Sequence, residues 1–575
     1  MYYAENLRVI VHGAVCVNSG AFHVSGQEEV VVRLDVTESA PKKRCLVKEA
    51  TPGVQAMAQR NKKYDRQLRI WGEQGQSALE KANICVLNAG PTGSETLKNL
   101  VLGGIGSFTV VDGSDIQASD LGNNFLIEWS SLGKRRASAV CSLLHEMNES
   151  VMPKFVDESP ESIIESNPAF FRQFSLVIAT QLSEFALAKL DLICRQYNAI
   201  LLVARSYGFI GHVSISVEEH DVIEAKPDNR VEDLRFHKPW PELRRLVQEF
   251  DIDTKDPIVH KHIPFGILLI KILEDWKADH GGQMPSSLRE LKAAITSRKR
   301  ELDEDNYNEA LKAAYLVTSP PSLKPEFLAV LKDRNVEIDA GSSDFWIMVA
   351  ALKHFMENEG EGEPPLDGSV PDMHSFTDYY IRLQQVYQAK AEADAAAVEE
   401  RVRNLLKQIG RDPDGISRTS IKHFCKNARN LRVYRYPSIA DKYSSQVRTE
   451  FQKLLAAADN SNAAFYVLLL AVDRLAGTNK RYPGTVDAEF EEDLALLKAA
   501  AADVLSEIGC HGASIPEDLV GEMCRFGAAE LHCVAAVVGG IAAQEAIKLL
   551  TGQFMPLSGP LIYNAITATA TVLDV

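Results

Sequence analysis

The stretch 84–112, ICVLNAGPTGSETLKNLVLGGIGSFTVVD, constrains the fold of this chain more than any other. Residues 84–87 are continuously apolar, as a strand buried on both faces is. A turn containing Gly90 and Gly93 follows, then a helix with Leu97, Leu100 and Val101 on one face, then a second strand over 107–111 closed by Asp112. In a nucleotide-binding βαβ unit, such glycines let the backbone approach phosphate at a helix N-terminus, and the strand-end carboxylate takes a ribose hydroxyl. The layout predicts an α/β, Rossmann-like unit. The fingerprint is altered, because Asn88 holds the first glycine position and Pro91 has no N–H to offer a phosphate.

A chain of 575 residues exceeds the ~250–300 residues at which a single core stops growing, so several domains are expected. The net charge of -16 argues against nucleic acid or an anionic membrane as partner, since both need basic patches, and favours a protein. Nine cysteines occur singly, with no CxxC pair, which reads as a reduced compartment without a structural metal. No signal peptide is legible. The longest apolar run, 534–543, meets Gln544, Glu545 and Lys548 before the ~20 residues of a membrane span accumulate. It reads as a buried helix, with Gly539 and Gly540 permitting another backbone to approach, on a sheet or across a subunit interface.

Residues 1–56 carry no motif with chemistry and are expected to be an irregular, dispensable N-terminal extension; their PKKR cluster at 41–44 reads as solvated rather than as a nuclear-import patch. Residues 64–82 predict a short helix or turn and then an amphipathic helix leading into the first strand, with Arg66 and Arg69 one turn apart on the same face. From about 250 to 500 the pattern changes to long helices, over 266–278, 345–357, 379–409, 463–475 and 488–508. In the third, Val398, Val402, Leu405 and Ile409 make a stripe at helical spacing, and Gly410 is a C-terminal stop. The domain reading is therefore an α/β domain over 57–250, a large all-α insertion over 251–500, and a return to the α/β domain over 501–575.

Tyr64-Asp65-Arg66-Gln67-Leu68-Arg69, the strand–glycine-loop–helix, VVDG at 110–113 and GKRRA at 133–137 follow in an order and spacing similar to those of the ubiquitin-like-protein-activating enzymes. LLVARSYGFIGHVSI at 201–215, EEHDVIEAKPDNRVEDLR at 218–235, RYPG at 481–484 and AAELHCVAAVVGGIAAQEAIKLLTGQF at 528–554 agree with them. These enzymes share a ThiF-type adenylation fold with the bacterial adenylating proteins of molybdopterin and thiamine synthesis. The chain resembles the non-catalytic subunits of the neddylation-activating enzymes most.

The resemblance implies a defective, pseudo-adenylation site. Active members need a full glycine loop, a ribose-binding Asp, an Asn and an Arg on the next loop, a Lys, and an Asp for Mg²⁺, so that cations offset phosphate charge while a carboxylate attacks. Asp112 matches the ribose position, but Asp120 and Asn123 stand where the Asn and Arg belong, Arg136 replaces the Lys, and Gln181 lies where the metal ligand should be. A vestigial pocket of Asn88, Gly90, Gly93, Asp112 and Arg136 is expected, with no metal held by this chain. The only cysteine of the helical stretch, Cys425, shares an apolar helix face with Ile421, Phe424 and Ala428, which favours packing over thioester chemistry.

What the resemblance implies, then, is a regulatory and scaffold subunit in an obligate heterodimer with a catalytic subunit, which holds ATP and Mg²⁺ and activates a ubiquitin-like modifier. It further implies action in the cytoplasm and also the nucleus, and a role in trans for Arg66 at the partner's ATP site, with Arg69 in reserve. The alternative reading is a self-sufficient enzyme, an NAD(P) oxidoreductase or ATP-dependent adenylase, against which Asn88, Pro91 and Gln181 count.

Overall fold

The structure, a computed structural model, describes residues 52–226, 233–318, 322–439, 445–456, 461–479 and 481–573. Its strands in chain order are β1 (Asn83–Leu87), β2 (Ser107–Val111), β3 (Met152–Val156), β4 (Leu176–Ala179), β5 (Ile200–Tyr207), β6 (Ile210–Ser216), β7 (His220–Val222), β8 (Arg432–Tyr434), β9 (Leu561–Asn564) and β10 (Thr569–Val572). Two compact units form. Of the described residues, one takes those up to Glu219, those in Arg435–Thr551 and those from Pro556 to 573; the other takes those in His220–Tyr434 and Gly552–Met555.

The first unit is built on an eight-stranded sheet in the order β10-β9-β6-β5-β4-β1-β2-β3. Strands β3, β2, β1, β4 and β5 run parallel, and β6, β9 and β10 extend the sheet antiparallel. Strand β1 sits at the centre of the parallel part, and its Ile84, Cys85, Val86 and Leu87 are fully buried, which explains the unbroken apolar run. The strand order reverses beside it. In open α/β sheets the crevice at such a switch point, beyond the carboxyl ends of the strands, is where ligands sit. The register aligns Leu87 with both Val111 and Ala179, so Asn88, Asp112 and Thr180 emerge side by side at that edge.

The helix Pro91–Gly103 crosses from β1 to β2, and the late helix His532–Thr551 packs against it. By length and composition this late helix is apolar enough to cross a membrane, yet Val534, Ala535, Val538 and Ala542 are buried in the fold. Its Glu545 is buried too, paired with Lys548 at 2.6 Å and accepting the Leu557 N–H at 2.8 Å. The helices Ser461–Asn479 and Phe490–Glu507, placed by their sequence pattern in the all-α stretch, belong to this first unit. Phe465, Leu468, Leu497 and Val504 share one cluster with Tyr207 of β5 and Ile562 of β9.

Among its described residues the second unit has one strand pair, the antiparallel β7–β8, and is otherwise built of helices and their connections. Its helices Asp344–Glu357, Thr377–Gln408 and Arg418–Asn427 close a cluster containing Trp346, Val398, Val402 and Phe424. The stripe is seated as expected, with Ile409 partly buried and Gly410 in the left-handed region at φ 74°. Of the N-terminal extension only 52–56 are described, where they open the helix Pro52–Lys63; the PKKR cluster lies outside the described residues.

The paired glycines of the late helix differ in role. A Cβ at Gly539 would lie 2.7 Å from Glu95 Cβ and 2.9 Å from the Thr96 N, whereas one at Gly540 would meet nothing within 4 Å. Gly539→Ala should therefore lose about 1–3 kcal/mol to overpacking, while Gly540→Ala should gain up to about 1 kcal/mol of helix propensity. Urea unfolding of the two variants checks this, and equal midpoints would contradict it.

Candidate functional site

Asn88 stands in the left-handed region at φ 68°. A short polar side chain tolerates that conformation best among non-glycine residues, so Asn88 performs the turn a glycine would otherwise make. Its N–H donates to the Val111 carbonyl at 3.0 Å and its side-chain amide to the Thr180 carbonyl at 2.8 Å, tying β1 to the ends of β2 and β4. Gly93 must be glycine, because a Cβ would lie 2.3 Å from the Asn88 carbonyl oxygen. Pro91 occupies the first turn of its helix, where its missing N–H costs the helix nothing.

The anion seat of that helix is taken by the chain itself. The Thr92 N–H donates to Glu530 Oε1 at 3.3 Å, and a Cβ added to Gly90 would lie 2.4 Å from Glu530 Oε2. A carboxylate thus stands at the positive end of the helix, in the place a phosphate takes in nucleotide-binding relatives of this fold. Burial pushes the Glu530 carboxyl above the usual range, while hydrogen bonds with Thr92 and Gln181 act the other way. Asn123 holds the segment in place, its amide donating to the Glu530 carbonyl and its Oδ1 accepting the His532 N–H at 2.9 Å.

Asp112 is fully buried. Its carboxylate accepts the N–H groups of Ala89 at 2.8 Å and Ser114 at 2.9 Å, and pairs with Arg136 Nε at 2.7 Å. The same guanidinium reaches Asp120 at 3.4 Å, and Asp120 caps its own turn by accepting the Gln117 N–H at 2.8 Å. Gln181, itself at φ 50°, donates its amide to the Ser206 carbonyl at 2.6 Å. The structure brings Asn88, Gly90, Gly93, Asp112 and Arg136 together with Asp120, Asn123 and Gln181. Their polar groups face one another.

Sequence reasoning missed Glu530. It lies 438 residues from Thr92 along the chain, and although it stands in the quoted stretch 528–554, an acidic residue before an apolar helix is too common to single out.

Arg66 and Arg69 make no hydrogen bond or ion pair with this cluster among the described residues. They lie in the helix Asp65–Lys81, started by the buried Tyr64, whose hydroxyl accepts the Asn148 amide at 3.1 Å. Arg69 pairs with Asp65 at 3.0 Å. Arg66 is exposed and has no such partner among the described residues. Cys425, in the second unit, is 3% exposed within the apolar cluster, and burial pushes its thiol up to about 12, far from thiolate at neutral pH.

The model of the ThiF family matches residues 64–574. NEDD8-activating enzyme E1 regulatory subunit AXL of Arabidopsis thaliana is 52% identical over 514 residues, which cover 89% of this chain and 98% of the relative. The NEDD8-activating enzyme E1 regulatory subunit of Xenopus laevis is 42% identical over 529 residues, covering 90% of this chain and 98% of the relative. That of Saccharomyces cerevisiae is 28% identical over 534 residues, covering 89% and 100%. The chain belongs to the ThiF family and, within it, to the group of NEDD8-activating enzyme E1 regulatory subunits.

Proposed function

We propose that this chain is the non-catalytic half of a heterodimeric activating enzyme for a ubiquitin-like modifier, with ATP and Mg²⁺ bound by its catalytic partner and its own site closed. The observation that carries this reading is the Glu530 carboxylate on the glycine-loop helix. Adenylation needs donors and cations wherever phosphate charge gathers. Here a carboxylate stands at that point, Asp112 is committed to Arg136 and two backbone N–H groups, and the neutral Gln181 replaces the metal-binding carboxylate. A nucleotide does not fit these residues as they stand. The same engagement of Asp112 counts against an NAD(P) oxidoreductase, which would need that carboxylate for ribose.

The subunit's contribution is then made across an interface. An exposed guanidinium without a partner among the described residues can reach another chain, which favours Arg66 for the trans role at the partner's ATP site. Arg69 stays in reserve, since its exposed pair with Asp65 is worth only ~0–1 kcal/mol. The acidic surface suits protein partners, the catalytic subunit and the modifier, in the cytoplasm and also the nucleus. The buried Cys425 leaves the thioester to the partner.

Calorimetry on the isolated chain should detect no binding of Mg-ATP, and tight binding would overturn the closed site. Arg66→Ala should leave heterodimer assembly unchanged but slow ATP–pyrophosphate exchange roughly ten- to a thousand-fold, because losing one transition-state donor costs ~2.7–4 kcal/mol at most. Unchanged exchange in an assembled mutant dimer would sink the trans role. With Cys425→Ala, thioester formation on the partner should proceed at the wild-type rate; a folded variant that has lost it would show that the thiol takes part in the chemistry.

A further inference from the structure

The helix Asp65–Lys81 does not run straight. At Gly72 the backbone takes φ 68° and ψ −178°, a conformation essentially closed to every residue but glycine. A Cβ there would meet nothing within 4 Å, so the kink requires the glycine and the space around it does not. Three residues on, a Cβ at Gly75 would lie 2.8 Å from Trp71 Cβ, so the two sides of the kink close on each other. Trp71 Nε1 donates across it to Gln76 Oε1 at 3.0 Å, and the fully buried Gln76 donates in turn to the Gly103 carbonyl at 3.2 Å.

The preceding helix, Pro52–Lys63, is tied to the far side of the same kink. Arg60 places Nε 2.7 Å from Glu80 Oε1 and Nη2 2.9 Å from Glu80 Oε2, a fork that holds direction as well as distance. Its Nη1 lies 2.9 Å from Glu73 Oε1. Beside it Lys63 reaches Asn148 Oδ1 at 2.5 Å, and the Tyr64 hydroxyl accepts the amide of the same asparagine. Residues 65–71 are therefore fastened at both ends. Between the fastenings stands Arg66, exposed and without a hydrogen bond or ion pair among the described residues, and Ile70, 54% exposed, lies one turn further on the same face.

Given the trans role proposed for Arg66, we infer that Gly72 and Arg60 are positioning residues for that reaction: the glycine kink and the Arg60–Glu80 fork hold Arg66 at the point from which it reaches the partner's ATP site. A long side chain on a loose segment loses its freedom only on docking, and a displacement of ~1 Å in a group that acts on a transition state costs about a hundred-fold in rate. A segment fastened beforehand meets part of that cost before the partner arrives. An ion pair at a part-exposed site adds little to stability by itself, so the value of the fork lies in where it leaves Arg66.

ATP–pyrophosphate exchange by the assembled heterodimer tests this. Arg60→Ala, which leaves only part-exposed carboxylates without their partner, should slow exchange at saturating ATP by about ten- to a hundred-fold with KM for ATP unchanged, because what is lost is felt only in the transition state. Gly72→Ala should act in the same direction. In the Arg66→Ala background, Arg60→Ala should slow exchange no further, since a positioning residue acts only through the group it positions, whereas independent effects would multiply. Gly72→Ala is the variant prone to misfold, so Arg60→Ala with an unchanged unfolding midpoint decides. Wild-type exchange in that assembled variant, loss of heterodimer assembly, or a multiplied effect beside Arg66→Ala overturns the positioning role and leaves the trans role of Arg66 standing; wild-type exchange with Arg66→Ala overturns both.

Discussion

The approach of two helix backbones at Gly539 governs the first unit. With no side chain between them, the helix His532–Thr551 lies against Glu95 and Thr96 of the helix that follows the glycine loop. Any larger residue would push the late helix outward. That contact seats the preceding residues, 530–532, over the loop, where Asn123 fastens them and Glu530 meets the Thr92 N–H. Residues more than four hundred positions apart are thereby held in one site.

At that site, geometry and electrostatics have separated. The backbone still makes the turn of a nucleotide-binding loop, with Asn88 in the conformation of a glycine and Gly93 against the carbonyl of Asn88. The charges serve a different end. A carboxylate on a helix N-terminus gains from the dipole as a phosphate does, so Glu530 satisfies that end of the helix from within the chain. Arg136 does the same for Asp112, whose buried charge would otherwise be costly. At this site the chain's own polar groups satisfy one another within the α/β architecture.

Each piece of this was legible in the sequence to a different degree. The βαβ unit was, because strand burial on both faces, glycine punctuation and helical periodicity are local signals; β2 spans the residues the pattern marks. The replacements at Asn88, Asp120, Arg136 and Gln181 could be read by position against the family. Their hydrogen-bond partners could not, since Asp112 with Arg136 and Gln181 with Ser206 depend on which loops the sheet order brings together. The helices Ser461–Asn479 and Phe490–Glu507 make the same point: periodicity shows that one face is apolar, not which core receives it.

By itself, then, the sequence determined that a parallel α/β unit forms around residues 84–112, that long helices follow, and that Cys425 lies on an apolar face. It also carried the family. Only the tertiary structure decided that a glutamate more than four hundred residues away meets the N-terminus of the glycine-loop helix, and that among the described residues Arg69 is paired while Arg66 is not. The physical reason is range. Propensity and periodicity act over a turn or a strand, whereas burial, charge pairing and cavities are set by segments that meet only once the sheet has been assembled.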